Sequence, residues 1–309
     1  MINKEQYNSP LAPVVLFTYN RPWHTQQVLN ALRKNTLSEQ SELFVFSDGA
    51  KNYEDEKLVN ETREILAQID GFKKVAIIER HLNYGLAANI INGVSTIIDK
   101  YEKIIVLEDD LLTSPTFLTF MNDALTLYED VDEVAHIHSF CYSGLDLPDT
   151  FLIKWVGSTG WATWKHSWEL FNPNGAKLLA EIEKRKLKKT FDFNGSYPYT
   201  RMLRRQIEGE NNSWAIRWNA SLFLNNKLSL NTGKSLIHNI GFDGSGENSG
   251  PQDFYNMGLF DGVLDLTMID EIKENSNARK QFQEFYKKTN SFWAKAKRRL
   301  QRMAKGDFS

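Results

Sequence analysis

Three consecutive acids, Glu108-Asp109-Asp110, are the residues of this chain best suited to chemistry. They follow directly on an aliphatic run at 104–107. Such a run suits a strand buried on both faces of a mostly parallel sheet. Three carboxylates at the end of a core strand repel one another and lose hydration unless a cation or donors sit beside them. Ligands of open α/β sheets bind at the carboxyl ends of strands. The triplet therefore points to a divalent cation held by carboxylate oxygen and bridged to phosphate. The plainer alternative is an acidic turn in which one Asp caps the following helix.

The flanking elements must decide. Short apolar runs at 14–17, 43–46 and 75–78 read as three further strands. Helical patterns separate them, from Pro22 to about residue 34, over 54–70 and over 86–99. A helix near 115–128 follows, with Ser114 as its N-cap and Pro115 at its first position. This alternation predicts an α/β fold with a doubly wound, mainly parallel sheet. Every one of these strands ends in polar residues: Asn20-Arg21, Asp48, Arg80 and the acidic triplet. Four such ends in succession predict a polar cleft along one edge of the sheet.

The second half is less regular. Strands are expected at 134–140, 151–156 and 228–230, and helices at 176–188, 197–207 and from Ser213-Trp214 onward. Gly157-Ser158-Thr159-Gly160-Trp161 reads as a flexible turn into a Trp-rich segment. Residues 238–250 contain four glycines and read as a mobile loop. From about residue 277 the chain holds ten Lys/Arg and only two acids, Glu284 and Asp307. Phe285, Phe292, Trp293, Ala296, Leu300 and Met303 fall on one broad helical side there. That pattern suits a helix lying on an anionic membrane, or equally one packed on the domain with a solvated basic side. The expected organisation is 1–130 for one α/β half, 131–270 for a second half of the same domain, and 271–309 for the basic tail.

Composition narrows the classes. The 309 residues carry a net charge of −2, so nothing pulls the chain as a whole toward nucleic acid. The single cysteine, Cys141, excludes an intrachain disulfide and fits a reducing compartment. No apolar run approaches the roughly 18 residues of a membrane span, and no signal-peptide pattern is present. The expectation is a cytoplasmic protein, with a peripheral place at the inner face of the cell membrane if the tail lies there.

The order of these motifs resembles the GT-A fold glycosyltransferases. It runs Thr18-Tyr19-Asn20-Arg21-Pro22, Asp48-Gly49, Asn83-x-Gly85-x-x-x-Asn89-x-x-x-Gly93, then the acids. The Asn-Gly-Asn-Gly spacing is similar to the family 2 transferases. Glu108-Asp109-Asp110 and the Gly160-Trp161 turn are similar to N-acetylglucosaminyltransferase I. The resemblance implies transfer of a hexosyl or N-acetylhexosaminyl group from a UDP-sugar to an acceptor hydroxyl, with inversion and with Mn2+ or Mg2+. It implies that Thr18, Asn20 and Arg21 lie near the nucleotide, and that Asp48 accepts a hydrogen bond from uracil. Asn83, Gly85 and Asn89 would shape the cleft near the diphosphate. Glu108 and Asp109 would meet sugar and ribose, and Asp110 would ligate the metal, with His238 completing its shell. From their chemistry alone, Trp161, Trp164, Trp214 and Trp218 are candidates to stack on a sugar face, with core packing as the alternative. The general base is expected just before the helix at Ser213, which gives Glu210, with Asp192 next. The acceptor would be a saccharide or lipid-linked saccharide in surface polysaccharide assembly. A nucleotidyltransferase and a catalytically silent sugar-binding scaffold are the competing readings. The first lacks its usual Gly-rich loop after strand 1.

Overall fold

The computed structural model describes residues 10–241 and 258–290. Its centre is an eight-stranded sheet. In the first half, β1 (Val14–Thr18), α1 (Pro22–Arg33), β2 (Glu42–Ser47), α2 (Tyr53–Leu66), β3 (Lys74–Glu79), α3 (Gly85–Tyr101) and β4 (Lys103–Glu108) alternate as the sequence predicts. A short strand β5 (Leu111–Thr113) comes next, then α4 (Phe117–Leu127) and β6 (Val134–His138). The second half continues with β7 (Thr150–Ile153), β8 (Trp161–Trp164), α5 (Lys165–Trp168), α6 (Gly175–Lys184), α7 (Lys188–Phe191) and α8 (Tyr199–Ile207). It ends with α9 (Trp214–Leu224), β9 (Leu228–Thr232), β10 (Ile237–Asn239) and α10 (Ser276–Asn290).

The strand order is β3-β2-β1-β4-β8-β6-β9-β7. Pairing is parallel throughout β3-β2-β1-β4 and between β6 and β9. Only β8 and β7 run against the rest. Consecutive residues of the central strands face opposite layers. Val14, Leu16, Leu43, Val45, Ile105 and Leu107 belong to one apolar cluster that also takes in residues of α1, α4, α6 and α8. Val15, Phe17, Phe44, Phe46, Ile104 and Val106 pack with α3 and α9. Burial on both faces is why these strands read as continuous apolar runs rather than alternating ones. One sheet thus spans both halves of the chain.

Some local expectations change. Helix α4 begins at Phe117, two residues after Pro115, and Ser114 Oγ accepts from the Thr116 N–H in the turn before it. The expected helix over 176–188 is two helices, α6 and α7, parted at Lys186, whose φ is +57°. The Trp-rich segment after Gly160 is a strand, β8, inserted antiparallel between β4 and β6. Helix α10 buries Ala278, Phe282 and Tyr286 against the domain, so the apolar side of that part of the tail is covered. Phe292, Trp293, Ala296, Leu300 and Met303 lie outside the described residues, as do 242–250 of the expected loop. Among the described residues, no helix is long and apolar enough to cross a membrane.

Candidate active site

The strand order places a switch point between β1 and β4. From β1 the chain moves outward to β2 and β3, then returns to β4 on the other side. Loops at the carboxyl ends of β1 and β4 therefore diverge and leave a crevice, where such sheets bind ligands. A cleft of about 530 Å³ lies there. Thr18, Tyr19, Asn20 and Arg21 line it from β1, Asp48 and Lys51 from β2, and Asn83, Gly85 and Asn89 from α3 and the turn before it. Its floor is Glu108, Asp109 and Asp110. The predicted polar edge is thus a real cavity, save that Arg80 stands behind it. Arg80 donates to Asn89 Oδ1 at 3.2 Å and stacks on Tyr84, with 4.5 Å from its guanidinium carbon to the ring centroid.

Asp48 organises the wall of the cleft between β2 and α3. One of its oxygens accepts from the backbone N–H of Gly49 at 3.0 Å and Tyr84 at 2.8 Å. The other accepts from the N–H of Gly85 at 2.9 Å and from Asn83 Nδ2 at 3.3 Å. Four donors saturate a carboxylate. In this structure Asp48 therefore ties the end of β2 to the start of α3, where the resemblance has it meeting uracil. Asn83 also donates to the Gly49 carbonyl at 2.8 Å. The glycines of the motif have distinct causes. Gly85 has φ +70°, a left-handed conformation costly for other residues. Gly93 lets α3 pass close to β1, since a Cβ there would stand 2.7 Å from the Phe17 ring.

Arg21 clamps the floor. Its guanidinium bonds to Asp109 and lies 3.2 Å from Asp110 Oδ2. The second Asp109 oxygen accepts from the Tyr19 N–H at 3.3 Å. Tyr19 and Asn20 are held in turn by Asp55 of α2, at 2.9 and 2.7 Å. Burial works against the charge of Arg21, yet Asp109 and Asp110 outweigh it and raise its pKa. Burial pushes the Glu108 carboxyl up to about 8, with Asp110 and Asp109 adding to the shift and Arg21 opposing it. Asp110 is raised by burial as well, with Arg21 opposing and Asp109 adding. Three acids against one clamped guanidinium leave the floor short of positive charge. Hard carboxylate oxygens are also what Mg2+ or Mn2+ takes, so the residues present fit such an ion at Asp110 and Glu108. Among the described residues, no group of three or more His, Cys, Asp or Glu side chains is already arranged around a metal position.

Other expected residues are not brought to the cleft. His238 pairs with Leu112, while its neighbour Asn239 pairs with Leu111. Strand alternation turns Asn239 and Leu111 to the cleft, and both line it. His238 belongs to the opposite face of that ribbon. Trp161 is 1% exposed, packed 5.6 Å from His136 and 5.2 Å from Trp214, so it is core and has no face for a sugar. Trp164, Trp214 and Trp218 are equally buried. Asp192 is buried away from the cleft and accepts from the Thr200 N–H and hydroxyl at 2.6 and 2.7 Å, fastening the start of α8. Glu210 is half exposed and pairs with Arg205 at 2.6 Å. Neither carboxylate lines the cleft. Residues that sequence reasoning missed are Tyr19, Lys51, Ser158, Thr159, Asn239 and Gly241. The glycines flanking Ser158-Thr159 signalled the turn, though not its place over the cleft.

No family model matches the sequence, and no curated protein matches it. Among solved structures the chain is similar to a mannosyltransferase from Pyrobaculum calidifontis in complex with GDP-Man and Mn2+. The TM-score is 0.37 at 15% identity, over 54% of this chain and 46% of that one. It is similar to TarS of S. aureus, with a TM-score of 0.31 at 15% identity over 45% and 23% of the two chains. A UDP-glucose pyrophosphorylase complexed with UDP-glucose gives a TM-score of 0.36 at 12% identity, over 72% and 90%. The chain spans about half the length of the mannosyltransferase and about a quarter of TarS. These are partial likenesses of fold; the chemistry of the site rests on its own residues.

Proposed function

We propose that the chain is a glycosyltransferase that binds a nucleotide-sugar, a UDP-sugar in the first instance, and passes the sugar to an acceptor hydroxyl. The observation that carries this is the cleft at the β1/β4 switch point. It has room for a nucleoside diphosphate, a wall of backbone and amide groups around Asp48, and a floor that pairs carboxylates with Arg21. Arg21 and Lys51 bring fixed positive charge to a diphosphate, whose negative charge grows as the sugar leaves. Thr18 and Asn20 stand on the same wall. A divalent cation, Mn2+ or Mg2+, held by Asp110 and Glu108, would supply further charge stabilisation of the leaving group. Inversion at the sugar, a lipid-linked saccharide acceptor, a role in surface polysaccharide assembly and a peripheral place at the membrane complete the reading. They rest on the sequence resemblance and on the basic residues after 277.

The positions of Glu210 and Asp192 favour a second reading, a nucleotide-sugar-binding protein without transfer. A thermal-shift panel of UDP- and GDP-sugars with and without Mn2+, on wild type and Asp110→Ala, tests the site; native-state ligands raise the melting temperature. A shift with one donor, weakened in Asp110→Ala, supports it, and nucleotide release on adding acceptor saccharides separates transferase from binder. No shift with any donor sinks both readings.

A further inference from the structure

Two cationic side chains line the cleft among the described residues, Arg21 and Lys51. They are differently placed. Lys51 is exposed at the rim, whereas Arg21 reaches from the start of α1 across to the end of β4 and is 16% exposed. Its fork engages Oδ1 of Asp109 and Oδ2 of Asp110 together. The Tyr19 N–H takes Asp109 Oδ2. Three of the four oxygens on Asp109 and Asp110 are therefore occupied from within the protein.

This arrangement has a consequence for any second cation. An ion approaching Asp110 meets a guanidinium already bonded to it, in a partly buried site where repulsion between like charges is poorly screened. A guanidinium fork matches phosphate oxygens as well as carboxylates, so a diphosphate is a competing partner for Arg21. An independent feature marks where ligand oxygens would enter. Thr18, 3% exposed and lining the same cleft, has a hydroxyl with no hydrogen-bond partner among the described residues.

We infer that Arg21 is the resident counter-ion of the acidic floor, and that a nucleoside diphosphate draws it off Asp109 and Asp110. A divalent cation then binds Asp110 and Glu108 tightly only together with the nucleotide. The inference rests on the nucleotide-sugar reading above and adds an order to it. Arg21 gates the acids, and the diphosphate opens them. Linkage makes the effect reciprocal, so the cation must tighten the nucleotide by the same factor.

The test is Mn2+ binding to the full chain by calorimetry, alone and with saturating UDP or GDP, for wild type, Arg21→Ala and Arg21→Lys. Phosphate oxygens could tighten Mn2+ in any such site, so the variants measured without nucleotide are decisive. Wild type should bind Mn2+ about tenfold or more weakly alone than with the nucleotide. Arg21→Ala should bind Mn2+ alone about tenfold more tightly than wild type, with a correspondingly smaller gain from nucleotide. Arg21→Lys, a point charge unable to fork two carboxylates, should fall between, and it carries the test if the alanine variant does not fold. Equal Mn2+ affinity of wild type and both variants without nucleotide, while nucleotide still binds, overturns the inference and leaves the donor site standing. Failure of wild type to bind UDP, GDP or Mn2+ in any combination overturns the site itself.

Discussion

Gly241 closes over Asp110. A Cβ on Gly241 would lie 2.3 Å from Asp110 Oδ2 and 3.0 Å from its Cβ. The neighbouring Ile240 N–H donates to the Asp110 carbonyl at 2.9 Å, so the end of β10 is fastened to the acidic turn. The carboxylate that Arg21 clamps from one side is therefore confined by backbone from another. Gly241→Ala should push Asp110 out of that position. We expect a loss of about 1–3 kcal/mol in urea unfolding, as for other overpacked sites, and weaker nucleotide-dependent Mn2+ binding. An alanine variant with unchanged unfolding midpoint and unchanged Mn2+ titration would mean that Asp110 has slack to move.

Asp48→Ala should separate two roles for that residue. Its carboxylate accepts from three backbone N–H groups and Asn83. Removing it leaves the buried Gly49 N–H and the part-buried donors at 83–85 without their partner, at a cost of about 1–2 kcal/mol. Stability and nucleotide affinity should fall together, because the wall at residues 83–85 loses its anchor. Denaturant unfolding beside nucleotide titration checks this. A loss of uridine nucleotide affinity with stability intact would instead place Asp48 directly on the base.

Gly93→Ala should destabilise the packing of α3 on the sheet and reach the cleft through Phe17, which lines it. The added methyl meets Phe17 at 2.7 Å and Phe46 at 3.2 Å, between α3 and the sheet. Both rings are buried and stacked at 5.5 Å, and Phe17 also borders the cleft. The expected loss is about 1–3 kcal/mol, with a smaller fall in nucleotide affinity per folded molecule as Phe17 shifts. Unfolding curves and calorimetry on the same preparation decide it.

The first half was legible because each of its signals is local. Runs such as 104–107 are apolar since both faces of β4 are covered, and Asp48, Asn83, Gly85 and Gly93 follow their strands at fixed offsets. What escaped is set by tertiary neighbours. Trp161 could not be told from a sugar platform until β8 was seen wedged between β4 and β6, with α9 over it. Glu210 sits near α9 in sequence, but its carboxylate turns to Arg205. His238 and Asn239 differ by one position, and a strand of three residues gives too little pattern to show which faces inward. The pairing of β10 with β5 settles that.

The acidic floor and the buried histidines should give stability a dome in pH. Glu108 ordinarily titrates near 4.5 and is raised to about 8 when folded. Between those values the folded chain holds a proton that the unfolded chain has released. Stability therefore falls as pH rises through that window, by at most roughly 1.4 kcal/mol per unit for one proton. The raised pKa of Asp110 acts in the same direction. His138 does the reverse. Burial lowers it from 6.5 to about 4, and burial lowers His136 further below its ordinary value. There the unfolded chain takes up protons that the folded chain refuses, so stability falls as pH drops below 6.5. The top of the dome should lie between about 4.5 and 6.5, where the two effects oppose. Urea midpoints from acid to alkaline pH, in buffer freed of divalent cations, measure the curve. Glu108→Gln should flatten the alkaline limb and leave the acid limb in place. The same alkaline fall in the variant would show that Glu108 is not the group that loses its proton there.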